Sequence, residues 1–382
     1  MEVPFNREYY TGQEIYHIKD VMKSRRHTKG DGYYTEQVSA LLEDKFNVRK
    51  VFMTTSGTHA LELSTALIDL KPYSEVIMPS FTFPSTANAV LNSQAEPIFV
   101  EIEGETLNID PQDIKAKITK NTKAIMPIHY AGIAANMDQI IKIARKHNLT
   151  IIEDAAQAVN SKYKGKYLGT IGKLGCFSFH STKNYISGEG GALLINQDDP
   201  KLIERASILR EKGTNRSSFL RGEVDKYSWV DRGSSYLPSD LLMAFLYAQL
   251  EKMDEIKNLR EKIYMRYLDE FNVFLEYDFI TSMSGLTKDR EINFNSFYFI
   301  FNGKQYRDRA IRELKKRNIT AAFHYIPLHI SKMGKKIGYN KGDLPFTENI
   351  AENIMRLPLY TDMTEQELNY VVKNVKEIFR EL

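Results

Sequence analysis

Short apolar runs alternate with longer segments of helical period between residues 50 and 196. The longer segments place apolar residues three and four positions apart, as from Met137 to Ala144. This alternation predicts an α/β domain with a mainly parallel sheet covered by helices. The runs predicted as strands are Val51-Phe52-Met53, Val76-Ile77-Met78, Ile98-Phe99-Val100, Ala124-Ile125-Met126, Ile151-Ile152, Cys176-Phe177-Ser178-Phe179 and Ala192-Leu193-Leu194-Ile195.

The pattern changes after Pro238. The segment from Ser239 to Phe271 predicts one or more long helices, with Ser239 or Asp240 as the N-cap. A strand at 297–301 and a helix at 306–316 follow. We therefore predict a large α/β domain over residues 1–250 and a smaller α+β domain over residues 251–382.

Composition excludes several classes of protein. Of the 382 residues, 42% are hydrophobic and 26% are charged, which is ordinary globular usage. The formal net charge of +3 is too small to attract nucleic acid by charge alone. The N-terminal residues carry charges and Pro4 where a signal peptide needs an apolar stretch, and no segment offers the roughly 20 apolar residues of a membrane span. Together with a lone cysteine, Cys176, these features predict a cytoplasmic protein that binds neither membrane nor nucleic acid.

Small polar residues follow several predicted strands, whose carboxyl ends meet at the sheet edge where open α/β sheets bind ligands. Ser56-Gly57-Thr58 precedes a helical pattern and can offer backbone N–H groups to a phosphate, although an N-cap that only starts the helix explains the same residues. The segment lacks the lysine of a nucleotide-triphosphate loop. Gly188-Glu189-Gly190-Gly191 leads into a strand-like run, so it does not match a dinucleotide fingerprint.

Asp154, Phe83 and Lys183 follow three of the strands and indicate a planar cationic heterocycle. Read singly, Asp154 is also compatible with a helix cap or a metal ligand, and Lys183 with a solvated surface lysine. A heterocycle with an aldehyde uses all three residues. Asp154 then pairs with a protonated ring nitrogen, Phe83 covers one ring face, and Lys183 forms an imine.

Three segments resemble the signature blocks of the DegT/StrS-type nucleotide-sugar aminotransferases, which are fold type I enzymes dependent on pyridoxal 5'-phosphate (PLP). These blocks are Ile152-Glu153-Asp154-Ala155-Ala156-Gln157, Gly175-Cys176-Phe177-Ser178-Phe179-His180-Ser181-Thr182-Lys183-Asn184 and Gly188-Glu189-Gly190-Gly191. The resemblance covers nearly the whole chain. A dehydrating branch of the family carries His where Lys183 stands, so the lysine favours transamination.

The resemblance implies a role for each matching residue. Lys183 is then the catalytic Schiff-base lysine and Asp154 the partner of the pyridinium nitrogen. Gln157 binds the phenolic oxygen and Phe83 stacks on the ring. The residues implied to bind the cofactor phosphate are Gly57, Thr58 and Ser178. The family also implies a homodimer in which an Asn of the neighbouring subunit reaches the phosphate, and Ser235 stands at the matching place here.

Further segments resemble the branch of the family that makes dTDP-4-amino-4,6-dideoxygalactose. They are Met78-Pro79-Ser80-Phe81-Thr82-Phe83, His129-Tyr130-Ala131-Gly132, Glu211-Lys212-Gly213-Thr214-Asn215-Arg216 and Phe323-His324-Tyr325-Ile326-Pro327-Leu328-His329. This resemblance implies a dTDP-4-keto-6-deoxyhexose and L-glutamate as substrates. The alternatives are amination to 4-amino-4,6-dideoxyglucose or a 3-amino sugar, and a regulatory or binding protein that keeps the PLP fold without turnover.

Candidate substrate contacts are less specific than the cofactor motifs. We expect His180 to form a polar wall of the cofactor site and His324, Tyr325 and His329 to form a substrate-facing loop, although ordinary loop packing explains the loop residues equally well. The cluster at residues 23–29 is predicted as a solvated loop. The alternative is contact with the diphosphate of a nucleotide sugar, and the same alternative applies to Lys212 and Arg216. No metal site is expected, since Pro327 spoils a His324–His329 ligand pair.

Overall fold

The structure is a computed structural model that describes residues 1–24 and 28–382. The predicted loop at 23–29 therefore lies partly outside the described residues. The strands are β1 (Lys50–Thr54), β2 (Glu75–Pro79), β3 (Glu96–Val100), β4 (Thr122–Ile125), β5 (Thr150–Asp154), β6 (Lys162–Tyr163), β7 (Lys166–Tyr167), β8 (Leu174–Ser178), β9 (Gly191–Ile195), β10 (Ile280–Met283), β11 (Arg290–Glu291), β12 (Phe297–Phe301) and β13 (Ile354–Leu357).

The helices surround these strands and begin at residues suited to helix starts, such as the N-cap Ser56 and the capping box of Thr364 with Glu367. They are α1 (Glu14–Lys23), α2 (Tyr33–Phe46), α3 (Gly57–Leu67), α4 (Pro84–Asn92), α5 (Pro111–Lys117), α6 (Met137–His147), α7 (Pro200–Arg210), α8 (Arg216–Leu220), α9 (Asp240–Glu251), α10 (Met253–Phe271), α11 (Lys304–Lys316), α12 (Lys332–Lys336), α13 (Pro345–Asn353) and α14 (Glu365–Arg380).

The large sheet has the strand order β1-β9-β8-β5-β4-β2-β3, and every predicted apolar run forms one of its strands. Neighbouring strands from β8 to β3 are parallel, whereas β9 runs antiparallel to both β1 and β8. Both faces are covered, since Val51 and Met53 pack into one hydrophobic core and Phe52 into the other. The predicted α/β architecture, with a mainly parallel sheet, is confirmed.

The C-terminal part contains a smaller sheet of order β10-β12-β13. The predicted strand at 297–301 is β12, and the helix predicted from Tyr306 begins two residues earlier as α11. The N-terminal residue Val3 forms a parallel bridge with Ile319 and is buried in the core around this sheet. The domain boundary at residue 250 remains a prediction. The contacts of Val3 show in addition that the N-terminal residues form an arm that packs on the C-terminal part.

Candidate active site

A cavity of about 860 Å³ opens at the carboxyl ends of the parallel strands. Its wall combines residues that follow β1, β2, β5 and β8 with residues of the C-terminal part, in agreement with the edge at which open α/β sheets bind ligands. The lining includes these residues singled out from the sequence: Gly57, Thr58, Phe83, Asp154, Gln157, Ser178, His180, Lys183, His324 and Tyr325. The fold therefore gathers most of the candidate residues in one place.

Lys183 lies in the connection between β8 and β9, where its backbone N–H donates to the His180 carbonyl at 2.9 Å. The side chain is half-buried, and its amine makes no hydrogen bond or ion pair within the described parts of the chain. Burial lowers the pKa of this amine, an effect that Asp154 opposes and Arg356 reinforces. A lysine so placed has a larger neutral fraction than a solvated one, and the neutral amine is the nucleophilic form.

Asp154 ends β5 and is buried. One carboxylate oxygen accepts a hydrogen bond from the Thr86 hydroxyl at 2.8 Å, and the other accepts one from the Ala156 N–H at 3.2 Å. Burial raises the pKa of this carboxyl, although both hydrogen bonds and nearby Lys183 act in the opposite direction. A cationic ring nitrogen in the cavity would give this carboxylate a positively charged partner and favour its ionised form.

The N-terminus of α3 packs closely against β8. A Cβ at Gly57 would lie 2.8 Å from the Cβ of Ser178, so glycine allows the helix to approach that strand. The Ser56 hydroxyl accepts a hydrogen bond from the His59 N–H at 3.1 Å and caps the helix. Ser56 is thus the N-cap of this helix. The same segment also forms part of a cradle suited to an anion, whose cavity-lining residues are Ser56, Gly57, Thr58 and Ser178.

Two side chains offer contacts to a planar ring. Phe83 precedes α4 and leaves 59% of its surface exposed where it lines the cavity. The Gln157 amide nitrogen donates to the Tyr325 hydroxyl at 2.8 Å, while its carbonyl oxygen accepts from the Ala131 N–H at 2.8 Å. An amide nitrogen carries two N–H donors, so Gln157 keeps one for a ligand oxygen.

The comparisons with known proteins agree with this geometry. The family model described as the DegT/DnrJ/EryC1/StrS aminotransferase family matches residues 9–376. The chain belongs to this family. SpsC of Bacillus subtilis strain 168, a spore coat polysaccharide biosynthesis protein, is 30% identical over 388 residues, covering 99% of this chain and 97% of SpsC. MJ1066 of Methanocaldococcus jannaschii is 36% identical over 373 residues, covering 97% of this chain and 95% of MJ1066.

Solved structures show the same architecture. The sugar aminotransferase Spr1654 of Streptococcus pneumoniae, in its apo form, is 25% identical with a TM-score of 0.92, and the match covers 100% of this chain and 98% of Spr1654. DesV of S. venezuelae, in complex with a ketimine intermediate, is 27% identical with a TM-score of 0.89, covering 100% of this chain and 99% of DesV. This chain is a PLP-dependent sugar aminotransferase.

The residues of this aminotransferase fit PLP. A cradle closed by Gly57 suits the phosphate, an exposed Phe83 suits the ring face, and a buried carboxylate at Asp154 suits the ring nitrogen. PLP, when bound, accepts an amine at its aldehyde carbon and withdraws electrons from the substrate through its protonated ring. Asp154 can keep the proton on that ring nitrogen, and the unpartnered amine of Lys183 can accept or return a proton at the reacting carbon.

Two histidines of the aminotransferase line the cavity with different surroundings. The side chain of His180 is 44% exposed, and its Nδ1 lies 3.0 Å from the Thr182 hydroxyl. His324 places its Nδ1 3.1 Å from the Tyr130 hydroxyl, and burial together with the charges of Arg356 and Lys183 holds its pKa far below the usual value. His324 is therefore neutral at pH 7, whereas the expected role of His180 as a polar wall remains a prediction.

The expected position of His329 is wrong. Its side chain is fully buried and does not line the cavity. Nδ1 lies 2.7 Å from the Ser80 hydroxyl and Nε2 lies 3.0 Å from Oε1 of Glu348. The sequence placed His329 on the substrate-facing loop, but the ring instead joins the end of that loop to the residue after β2.

Ser235, Lys212 and Arg216 also lie outside the cavity of their own chain. Ser235 is exposed and pairs in an antiparallel bridge with Glu211. Lys212 is exposed, and Arg216 forms an ion pair with Glu211 at 3.3 Å. If these three residues contact cofactor or substrate as predicted, they must do so in the cavity of a second copy of the chain.

The cavity residues that sequence reasoning missed include Phe5, Asn6, Thr86 and Arg356. Thr86 had a usable signal, because it stands three residues after Phe83, the predicted ring contact. Arg356 had a weaker signal, as a charged residue inside the apolar strand Ile354–Leu357. Residues 1–24 and 28–382 contain no group of three or more acidic, His or Cys residues able to hold a metal ion, and no helix with the length and apolarity to cross a membrane.

Proposed function

We propose that this aminotransferase transfers the amino group of L-glutamate to dTDP-4-keto-6-deoxy-D-glucose, giving dTDP-4-amino-4,6-dideoxy-D-galactose and 2-oxoglutarate. The observation that carries the proposal is the position of the segment 323–325, whose residues line the same cavity as Lys183. This segment belongs to the motifs that resemble the branch acting at the 4-position of the sugar. A cavity of about 860 Å³ has room for a ligand larger than an amino acid.

The alternative of a regulatory protein without turnover has one observation in its favour. A relative of Geobacillus stearothermophilus named pleiotropic regulatory protein is 30% identical over 368 residues, covering 95% of this chain and 93% of the relative. An unpartnered Lys183 and a buried Asp154 in one cavity favour turnover, because a binding role needs neither an available amine nor a carboxylate at that position. The name of SpsC supports a place in cell-surface polysaccharide biosynthesis.

The test is the structure of the product. Purified protein is loaded with PLP and incubated with dTDP-4-keto-6-deoxy-D-glucose and L-glutamate, and the sugar product is examined by NMR. An axial amino group at C4 of a 6-deoxyhexose is the expected result. An equatorial amino group at C4, an amino group at C3, or no product with any of these substrates overturns the proposed reaction.

The proposed active unit is a cytoplasmic homodimer whose cofactor sites are shared. Ser235 lies outside its own cavity in a segment with exposed apolar side chains, including Trp229 at 80% and Leu220 at 64% exposure. These features support contact with a second copy, in which Ser235 can donate a hydrogen bond to the phosphate and Lys212 and Arg216 can approach the diphosphate.

A complementation experiment tests the shared site. Lys183→Ala and Ser235→Asp proteins are each expected to be inactive, the second because a carboxylate would stand beside the phosphate. Mixed dimers contain one site with both wild-type halves, so mixing should restore part of the activity. If subunits exchange without any return of activity, or if the active species sediments as a monomer, the shared site is wrong.

A further inference from the structure

A second buried carboxylate stands directly before Asp154 in β5. Successive residues of a strand point to opposite faces, so Asp154 lines the cavity whereas Glu153, which is fully buried, points away from it. Oε1 of Glu153 accepts hydrogen bonds from the Ile171 and Gly172 N–H groups, both at 2.6 Å, and Oε2 accepts one from the Gly169 N–H at 2.9 Å. These donors suit an ionised carboxylate, which only accepts hydrogen bonds.

His129 supplies the fourth hydrogen bond to this carboxylate. Its ring is fully buried, with Nε2 2.9 Å from Oε2 of Glu153 and Nδ1 accepting the Ala135 N–H at 3.2 Å. Because Nδ1 accepts a hydrogen bond, the ring proton stands on Nε2 and is donated to Glu153. Both ring nitrogens are thus satisfied by the protein, and the pair Glu153–His129 fixes the ring together with the backbone that carries it.

The backbone around His129 holds the end of β5. The His129 N–H donates to the Asp154 carbonyl at 3.1 Å, and the Asp154 N–H donates to the Pro127 carbonyl at 2.9 Å. Ile128 and Asp154 accordingly form a parallel bridge beyond the end of β4. The position of Asp154 is therefore tied to that of the His129 backbone.

The turn at residues 129–132 positions a second residue of the cavity. Ala131 has φ +55° and ψ +18° and Gly132 has φ +82°, so two consecutive residues lie in the left-handed region, which is strained for alanine. In this conformation the Ala131 N–H donates to Oε1 of Gln157 at 2.8 Å. The amide nitrogen of Gln157 is then the atom that donates to the Tyr325 hydroxyl at 2.8 Å, at the cavity. A flipped amide would set its nitrogen against the Ala131 N–H, donor against donor, so the turn decides the orientation.

We propose that the buried pair Glu153–His129 positions Gln157 for the cofactor, by holding the strained turn whose Ala131 N–H keeps the amide nitrogen of Gln157 directed toward the phenolic oxygen of PLP. This inference rests on the predicted contact between Gln157 and that oxygen and goes beyond the proposed function, because it is independent of the sugar. Neither Glu153 nor His129 lines the cavity, so they are positioning residues and not catalytic ones.

Hydrogen-bond chemistry explains why the orientation matters. An N–H group that faces the phenolic oxygen stabilises negative charge on it and so favours the deprotonated cofactor. A carbonyl oxygen at the same place would repel that charge. The strain of the turn is therefore offset by contacts of the buried pair, and the result is a donor fixed at one place in the cavity.

The absorption of bound PLP tests the orientation without any substrate. The holoenzyme is prepared with PLP, and its visible spectrum is recorded as a function of pH. His129→Asn keeps an acceptor for the Ala135 N–H but is too short to reach Glu153, and it should raise the pH of the half-change by about 1 unit, since the deprotonated cofactor loses a donor. His129→Gln, whose amide nitrogen can reach Glu153, should raise it by less than about half a unit. All other titratable groups of the cavity are the same in these proteins.

A double-mutant cycle tests whether the effect passes through Gln157. Gln157→Ala should shift the half-change at least as far as His129→Asn, and combining the two substitutions should shift it no further. His329→Asn is the matched control, because His329 is also fully buried and places Nε2 3.0 Å from Oε1 of Glu348. The control should lower the urea midpoint about as much as His129→Asn and leave the PLP spectrum unchanged.

Three results would overturn the inference. Equal shifts from His129→Asn with and without Gln157 would show that the pair acts elsewhere. An unchanged spectrum with a lowered urea midpoint would make the pair a purely structural contact. Gln157→Ala without any shift would remove the predicted contact with the phenolic oxygen, and the inference with it.

Two features keep the test decisive. If His129→Asn does not fold, His129→Gln carries the same comparison in the presence and absence of Gln157. Failure of the proposed sugar reaction is a separate outcome, because no sugar enters these measurements.

Discussion

The cavity has two walls that are built in different ways. The sheet wall consists of Gly57, Asp154, Ser178 and Lys183, each within a few residues of a strand of the large sheet. The loop wall consists of residues 323–325, Arg356 and the N-terminal arm, which are joined by contacts between distant parts of the chain. We assign cofactor binding to the sheet wall and recognition of the substrates to the loop wall.

The two walls also differ in how they are held. The strand ladders of β8 with β5 and β9 fix the sheet wall through backbone hydrogen bonds. The loop wall has backbone hydrogen bonds as well, but it also depends on a side chain, since the buried His329 connects Ser80 to Glu348 at the end of the loop. Substitutions in the sheet wall should therefore abolish chemistry. Substitutions in the loop anchor, which we define as Ser80, His329 and Glu348, should change stability and substrate affinity.

The largest effect is expected for Lys183→Ala in the sheet wall. The variant loses the amine that we propose as nucleophile and as carrier of the proton, and proton transfer by such a group usually contributes a factor of about 10² to 10⁴ in rate. Steady-state turnover should fall by a factor of about 10³ or more, while PLP should still bind through its phosphate and ring contacts. The control is Lys166→Ala, an exposed lysine of β7. Near-normal turnover of Lys183→Ala would remove it from the mechanism.

Asp154→Asn should have the next largest effect. The amide keeps the shape of the side chain but not the charge that stabilises a ring N–H, and preorganised charges of this kind are worth about 10²- to 10³-fold in rate. Turnover should decline far more than PLP occupancy, which is measured by absorbance after dialysis. Similar losses in both quantities would mean that Asp154 supports the fold and not the chemistry.

Gly57→Ala should reduce cofactor affinity about 10-fold, roughly the worth of one charge-assisted hydrogen bond. Its Cβ would lie 2.8 Å from the Ser178 Cβ and 3.3 Å from the Phe177 carbonyl oxygen, so the helix N-terminus must move away from the phosphate cradle. Gly285→Ala is the matched control, because nothing lies within 4 Å of the added Cβ. Titration of apoprotein with PLP measures both, and equal affinities would argue against the cradle.

The smallest effect on rate is expected for Ser80→Ala in the loop anchor. The variant removes the hydroxyl that lies 2.7 Å from His329 Nδ1 and that accepts the His329 N–H at 3.1 Å. Loss of buried hydrogen bonds should lower the free energy of unfolding by about 1–3 kcal/mol and raise KM for the sugar a few-fold, with kcat little changed. Urea unfolding and kinetics check this against Ser282→Ala. A collapse of kcat would place the anchor in the chemistry.

The sheet wall could be predicted from the sequence because its signals are local. Each strand is an apolar run of a few residues, and the residues predicted to bind the cofactor stand within a few positions of these runs, as Asp154 does two residues after Ile152. The reversed direction of β9 was not predicted, since an apolar run looks the same in either orientation.

The loop wall could not be predicted because its contacts are remote in the chain. Ser80 and His329 are 249 residues apart, so nothing in either segment indicates the pair, and a histidine in a polar loop resembles a ligand contact. Arg356 and Phe5 are separated by nearly the whole chain and meet only because the N-terminal arm folds back on the C-terminal part. Pattern reading misses such pairs, since it detects periodicity within a segment.

The antiparallel hairpin of β8 and β9 has a consequence for how the site around Lys183 unfolds. Five residue pairs join the two strands, and the ladder continues into the connection that carries Lys183, where Phe179 N–H donates to Gly190 O and Ser181 N–H to Gly188 O, both at 2.9 Å. Freeing the lysine thus requires opening the centre of the sheet, which has the slowest amide exchange in most proteins. Exchange at Cys176 and Leu193 should report global unfolding, and Lys183 should keep its place in the cavity as long as the native state persists.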